Sequence, residues 1–145
     1  MSTDPMDAAA LTAAGWTRID TTGFTSTIGP LWRQGSDQDC SLAFLAEERH
    51  SNNSGAVHGG ALMTFADICL GYRGARALGH TACVTAQLQL QFISGARIGE
   101  LVSCKPELIR LSSQLIFVRG LISAGGRTVA SADGIWKILD PRPRA

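Results

Sequence analysis

At 145 residues the chain has the length of one domain, enough to bury about two-thirds of its unfolded surface. It is 45% hydrophobic and 17% charged, with a formal net charge of +1, so it lacks the basic stripe of a nucleic-acid binder and any polybasic membrane patch. No run approaches the ~18 apolar residues of a membrane span, and the acidic start MSTDPMDAAALTAAGW lacks the basic region of a signal peptide; a cytoplasmic location is expected.

Asp4-Pro5, Met6–Ala14 and Gly15 predict a short N-terminal helix with an acid at the N-cap, proline at the first helical position and glycine at the end. Residues 1–15 are thus expected to form a helical extension of a single domain spanning 1–145. A polar stretch, Trp16 to Gly29, leads to a first strand over Pro30–Arg33. Gly35–Asp39 is turn-rich, and Ser41–Ala46 predicts a second strand.

From about Gly59 to Leu78, apolar Ala61, Leu62, Phe65, Ala66, Cys69 and Leu70 recur at helical spacing. After Gly79 the period becomes two. Ala82, Val84, Ala86, Leu88, Leu90 and Phe92 alternate with Cys83, Thr85, Gln87, Gln89 and Gln91, which predicts a strand with one apolar face and one mostly polar face. Ser94–Gly99 reads as a turn. A strand follows over Glu100–Ile109, with Pro106 marking an edge or a bulge. Gln114–Ser123 and Thr128–Leu139 form two more strands, joined across Gly125-Gly126 as a hairpin, and residues 140–145 read as a flexible tail. One long helix beside about five antiparallel strands buries its apolar face only if the sheet curls around it.

Cys40, Cys69, Cys83 and Cys104 are widely spaced in apolar stretches, without a CxxC pair or a His–Cys cluster at metal-ligand spacing. Packed, reduced thiols are expected, with no metal, disulfide or cofactor. His50 and His80 read as loop residues.

The most informative segment is His50–Gly79. Asn52 and His58 precede the helix, Gly59-Gly60 opens it, and Asp67 is the one carboxylate in its otherwise uncharged first half. A lone acid among Ala, Leu, Met, Phe and Ile is costly to bury unless something uses or satisfies it.

The pattern Asn52-x5-His58-Gly59-Gly60-x6-Asp67, with Thr85 in the next strand, resembles the hotdog-fold acyl-CoA thioesterases. Within them it is most similar to the phenylacetate-pathway, PaaI-like branch of the 4-hydroxybenzoyl-CoA thioesterase superfamily. The likeness spans about Glu48 to Ile138. It implies an α+β hotdog fold, a curled antiparallel sheet of about five to six strands wrapped around one long central helix. It also implies that Asp67 acts as general base or nucleophile, that the Gly59 N–H polarises the thioester carbonyl, and that Asn52 and Thr85 position water or the acid. The resemblance places Phe92–Arg97, with Ser94 among them, and the turn near Arg110, Ser112 and Ser113 beside coenzyme A, with Gly60 against the substrate. Relatives often carry Gly with a basic residue where this chain reads Leu111-Ser112-Ser113.

The chemistry fits these residues. Free N–H groups and the dipole at a helix start favour a developing oxyanion, and glycine lets a substrate approach the backbone. An aspartate, ionised at neutral pH, can take a proton from water or attack the carbonyl itself. Asp67 lies eight residues beyond Gly59, ~12 Å along a helix, so one carbonyl carbon cannot touch both in a single chain. Either the two belong to composite sites of a homodimer, with the Gln-rich strand face as the candidate surface for a dimer of dimers, or Asp67 is a satisfied structural acid. Gly60, Thr64, Gly71 and Gly74 would form the small-residue seam of such a dimer. His58 is either an acid–base group or a loop-orienting one, and Thr85 in isolation is also simply a good strand former. Met63, Phe65, Leu70, Phe92, Phe117 and Trp136 are candidates to line an acyl pocket, and Arg97, Arg110, Arg119 and Arg127 to meet coenzyme A phosphates. The alternative to an enzyme is a non-catalytic acyl-CoA-binding hotdog module, a sensor or carrier, which has no need of a base.

Overall fold

The computed structural model describes residues 6–140. Helix α1 (Ala8–Ala13) starts at Asp7, whose carboxylate accepts from the Ala10 N–H at 2.8 Å. It is shorter than the expected Met6–Ala14, and Asp4-Pro5 lie outside the described residues. The expected flexible tail has only Asp140 among them. Leu11 of α1 packs against Trp32 and Ala43 on the face of the sheet turned away from the long helix.

Strands β1 (Thr17–Ile19), β2 (Leu31–Gly35) and β3 (Cys40–Leu45) precede helix α2 (Gly59–Leu78). After it come β4 (Cys83–Phe92), β5 (Leu101–Cys104), β6 (Glu107–Leu111), β7 (Leu115–Ala124) and β8 (Arg127–Ile138). All eight strands form one antiparallel sheet in the order β1-β2-β3-β5-β7-β8-β4, with β6 on β7 beyond β5. This is the hotdog arrangement with eight strands instead of five or six. No helix among the described residues is long and apolar enough to cross a membrane.

The additional strands have local causes. β1 lies inside the polar stretch, where three largely exposed residues pair with β2 without any apolar alternation to announce it. The expected strand Glu100–Ile109 is two, interrupted at Lys105-Pro106, because proline has no N–H to give the ladder. Gly120 of β7 admits the kink. A Cβ there would sit 2.6 Å from the Cys104 Sγ and 3.5 Å from the Pro106 Cα.

Helix α2 has the bounds its periodicity predicts and ends at Gly79, whose φ of 85° lets its N–H turn back to the Ala75 carbonyl. Leu62, Phe65, Ala66, Cys69 and Leu70 form its core stripe against Phe44, Val102, Ile116, Val118 and Ile122, with the Phe44 and Phe65 rings edge to face at 5.0 Å. Phe65 and Leu70 are therefore core, whereas Trp136, also buried, borders the open cavity over Asp67. Gly74 likewise belongs to the sheet side of the helix, whereas Gly71 is only half-buried, between Trp136 and an open cavity. A Cβ would lie 3.0 Å from the Trp136 indole nitrogen at Gly71 and 3.3 Å from Ile116 at Gly74.

The alternation in β4 breaks at one residue. Thr85 pairs with Trp136 and Gln87 with Ile135, leaving Ala86 as a bulge. Ahead of it Cys83 and Thr85 face α2; beyond it Leu88 and Leu90 do, while Gln87, Gln89 and Gln91 point outward. Val84, expected on the apolar face, is turned outward and 49% exposed.

Candidate active site

The loop entering α2 is knitted by its own polar groups. The Asn52 side-chain oxygen accepts from the N–H groups of Ser54 (2.8 Å) and Ala56 (3.1 Å), and its backbone N–H donates to Ala56. Val57 N–H donates to the Ala96 carbonyl at 2.9 Å, and Ala56 bridges to Arg97, tying this loop to the turn after β4. That turn is held in its own right. Arg127 reaches both oxygens of Glu100 (2.8 and 3.1 Å) and the Gly95 carbonyl, while Glu100 accepts from the Arg97 N–H. The Arg127 hydrogen bonds hold the Glu100 carboxyl below its ordinary pKa.

His58 is the N-cap of α2, its Nδ1 accepting from the Gly60 N–H at 2.8 Å. The next donor along, the Gly59 N–H, meets no acceptor among the described residues. It is free at the positive end of a twenty-residue helix. The Phe92 ring lies against Gly59, 3.5 Å from where a Cβ would stand.

Asp67 occupies the middle of α2, half-buried. Thr85 Oγ1 donates to Asp67 Oδ1 at 2.6 Å, and among the described residues Oδ2 has no partner. The bulge at Ala86 makes this contact. With uninterrupted alternation Thr85 would share the outer face of Gln87 and Gln89. An open cavity of about 480 Å3 lies over Asp67, lined also by Thr25, Ile68, Tyr72 and Val84.

The expected site residues therefore fall into three groups along one chain. Asn52, His58, Gly59, Gly60, Phe92, Ser94 and Arg97 gather at the N-terminal end of α2. Asp67 and Thr85 stand at its middle. Arg110, Ser112 and Ser113 lie away from both, at the β6–β7 turn, where Leu111 pairs with Ile116 near Gly74. Ser112 there closes its own turn on the Leu115 backbone. Arg119 and Arg127 are paired with Glu107 and Glu100, whereas the side chains of Arg97 and Arg110 form no ion pair among the described residues.

The sequence reading missed the 3-10 turn Gly23–Thr27. Phe24, 74% exposed, lines a cavity of about 440 Å3 with Gly60, Ala61 and Thr64, and Thr25 lines the cavity over Asp67. Arg49 and His50 fasten this turn. The Arg49 guanidinium donates to the carbonyls of Ser26, Thr27 and Gly29, and His50 Nε2 to that of Thr27 at 3.1 Å. His50 is a buried residue of the 3-10 turn Glu48–His50, edge-on to Phe44, and its Nδ1 accepts from the Glu47 N–H. Burial and the adjacent Arg49 push its pKa below the ordinary value. Only an aromatic in a polar stretch hinted at the turn.

Residues 54–131 match the family described as the thioesterase superfamily. A curated Pseudomonas aeruginosa protein, named as a candidate esterase, is 33% identical over 113 residues, covering 77% of this chain and 84% of that one. Among solved structures, zebrafish thioesterase superfamily member 2 superimposes with a TM-score of 0.75 at 18% identity, over 83% of this chain and 89% of the other. A Streptococcus pneumoniae hypothetical thioesterase solved with coenzyme A gives 0.69 at 17% identity, over 82% and 93%. A variant of the phenylacetic acid degradation protein PaaI of Thermus thermophilus gives 0.65 at 17% identity, over 89% and 97%.

Proposed function

Because the chain belongs to the thioesterase superfamily, whose members are hydrolases of thioester bonds, we propose that it cleaves an acyl-CoA, with Asp67 as the base and Gly59 as the oxyanion donor. The observation that carries this reading is the Thr85–Asp67 hydrogen bond. It fixes one carboxylate oxygen at 2.6 Å and leaves the other unpartnered toward an open cavity. A carboxylate held on one oxygen and open on the other is placed to take a proton from a water in that cavity.

In the proposed reaction Asp67 takes a proton from water as the water oxygen attacks the thioester carbon. The carbonyl oxygen, now anionic, is held by the Gly59 N–H. Collapse breaks the carbon–sulfur bond, and the proton passes from Asp67 to the departing sulfur, giving the free acid and coenzyme A. Direct attack by Asp67, through a mixed anhydride hydrolysed by water, uses the same two groups.

Asp67 and Gly59 are ~12 Å apart along one helix, so each site draws on two chains. The edge that supports a homodimer is β4, ten residues long and, among the described residues, paired only with β8. A twofold axis beside it would bring the two α2 helices alongside in opposite senses. The outward row Gln87, Gln89 and Gln91 is a polar surface on which two such dimers could stack. The likeness to PaaI, carried by the Asn52–Asp67 pattern and Thr85, favours an acyl or aryl-acyl substrate.

The test is a hydrolysis screen over aryl, short, medium and long acyl-CoAs with Asp67→Asn as control. The expected loss is 100-fold or more in kcat. Full turnover by that variant would remove Asp67 from the mechanism, and no turnover of any acyl-CoA by the native chain would favour the carrier alternative. Mixed dimers of Asp67→Asn with Gly59→Val should regain activity through one intact composite site; verified mixed dimers without activity would overturn the shared site.

A further inference from the structure

At the sheet edge opposite β4, the C-terminal half of α2 and strands β1 and β2 border a third cavity, of about 430 Å3. Its walls include Thr17, Ile19, Arg33, Gln34, Tyr72 and Arg76. Two guanidiniums lie over the Tyr72 ring, Arg76 at 4.6 Å from the centroid and Arg33 at 5.8 Å. Arg33 Nη2 pairs with the exposed Asp37 at 2.6 Å, but its Nε is buried and meets no acceptor among the described residues. Next to Tyr72 on the helix, Arg73 is only 7% exposed, and its Nη1 is buried without a partner among the described residues. Arg33 and Arg73 both act on the Cys40 thiol, favouring its thiolate against the larger effect of burial, so the two guanidiniums share one neighbourhood.

Arginine stays charged at any physiological pH, and burying its donors without acceptors is strongly unfavourable. Three guanidiniums here have one carboxylate among them, a surplus of two positive charges. The ligand that offsets this surplus, seated on the cavity-lining Arg33 and Arg76, is a compact dianion with several acceptor oxygens, which is the description of a phosphate monoester near neutral pH. A carboxylate would cancel half of the surplus.

We propose that the cavity between α2 and the β1–β2 edge binds a phosphate group, with Arg33 and Arg76 on its oxygens and Arg73 adding charge beside them. The site lies at the far edge of the sheet from β4, so dimerisation along β4 leaves it open. Tyr72 also lines the cavity over Asp67, which makes it the wall between the two. The phosphate could come from the nucleotide end of a coenzyme A substrate or from a separate small phosphorylated ligand.

Titration calorimetry of the full chain at low ionic strength tests this without recourse to hydrolysis, so a failed thioesterase reading leaves it standing. The probes are inorganic phosphate, coenzyme A and 3′-dephospho-coenzyme A. Native protein should bind phosphate and gain thermal stability from it. Arg76→Gln, which alters an exposed side chain, and Arg33→Gln should each weaken binding tenfold or more. Arg18→Gln, which removes only an exposed pair with Asp20, should bind as the native chain does. Displacement of phosphate by coenzyme A but not by its dephospho form identifies the substrate as the source; failure of both to displace it identifies a separate ligand. The proposal is overturned if the native chain binds no phosphate, if Arg76→Gln binds it unchanged, or if Arg18→Gln weakens it equally.

Discussion

The N-terminal end and the middle of α2 are built differently. Around Gly59, Asn52 closes its loop, His58 caps the helix, Ala56 and Val57 are stitched to the turn after β4, and Arg127 locks that turn through Glu100. One donor is left over, and it is the one an oxyanion would use. Around Asp67 there is a single side-chain bond, from Thr85, under an open cavity. The first region is tied down within one chain; the second is open on one side. A protein whose site is assembled from two copies should show this asymmetry, with one half rigid before assembly and the other completed by it.

Mutations can break this contrast. The largest effect is expected from Asp67→Asn, at least 100-fold in kcat with the fold intact by circular dichroism. Gly134→Ala should act on the acid side through the sheet. Its Cβ would stand 2.7 Å from the Trp136 ring and 2.8 Å from the Gln87 carbonyl, beside the bulge that aims Thr85. A loss of about 1–3 kcal/mol in denaturant unfolding is expected, with reduced kcat in the surviving enzyme. Thr85→Val should lower kcat about tenfold, the order of one hydrogen bond to a charged group, and Thr85→Ser should restore most of it.

Smaller effects belong to the Gly59 end. His58→Ala should cost about 1 kcal/mol as a lost N-cap, and His58→Asn, itself a good cap, should recover both stability and turnover. If the Asn variant regains stability alone, His58 has a chemical role as well. The smallest effect is that of His50. Its pKa is lowered by burial, so the folded state binds fewer protons than the unfolded one just below the ordinary value of 6.5. Stability from this group is full above that value and falls as the pH drops through the folded pKa. Thermal melts between pH 7 and 5 should show this decline in the native chain and a flatter profile in His50→Gln.

Much of this was legible in the residues. Glycines at both ends and a 3.6-residue period define α2, and Gly125-Gly126, with φ of 57° and 76°, turn β7 into β8 where the hairpin was expected. The Asn52–Asp67 pattern carried the resemblance to the thioesterase superfamily, to which the chain belongs. Period-two reading failed at Thr85 because a bulge leaves no trace in apolar alternation, and Ala86 is a residue either face accepts. It failed for Gly74 because a glycine facing a buried strand and one facing a partner look alike until that strand is placed. The turn carrying Phe24 escaped notice because carbonyls fasten it to Arg49 and His50, and backbone acceptors have no residue code.

What the sequence determined by itself was local: which segments are helix and strand, where α2 begins and ends, and which carboxylate stands alone on it. Those follow from periodicity, capping and turn chemistry, all short-range. Only the tertiary structure decided that Thr85 meets Asp67, that Phe92 covers Gly59, and that Arg33 and Arg76 share a cavity across Tyr72. Each of these depends on strand register, and register is set by the whole sheet closing on the helix.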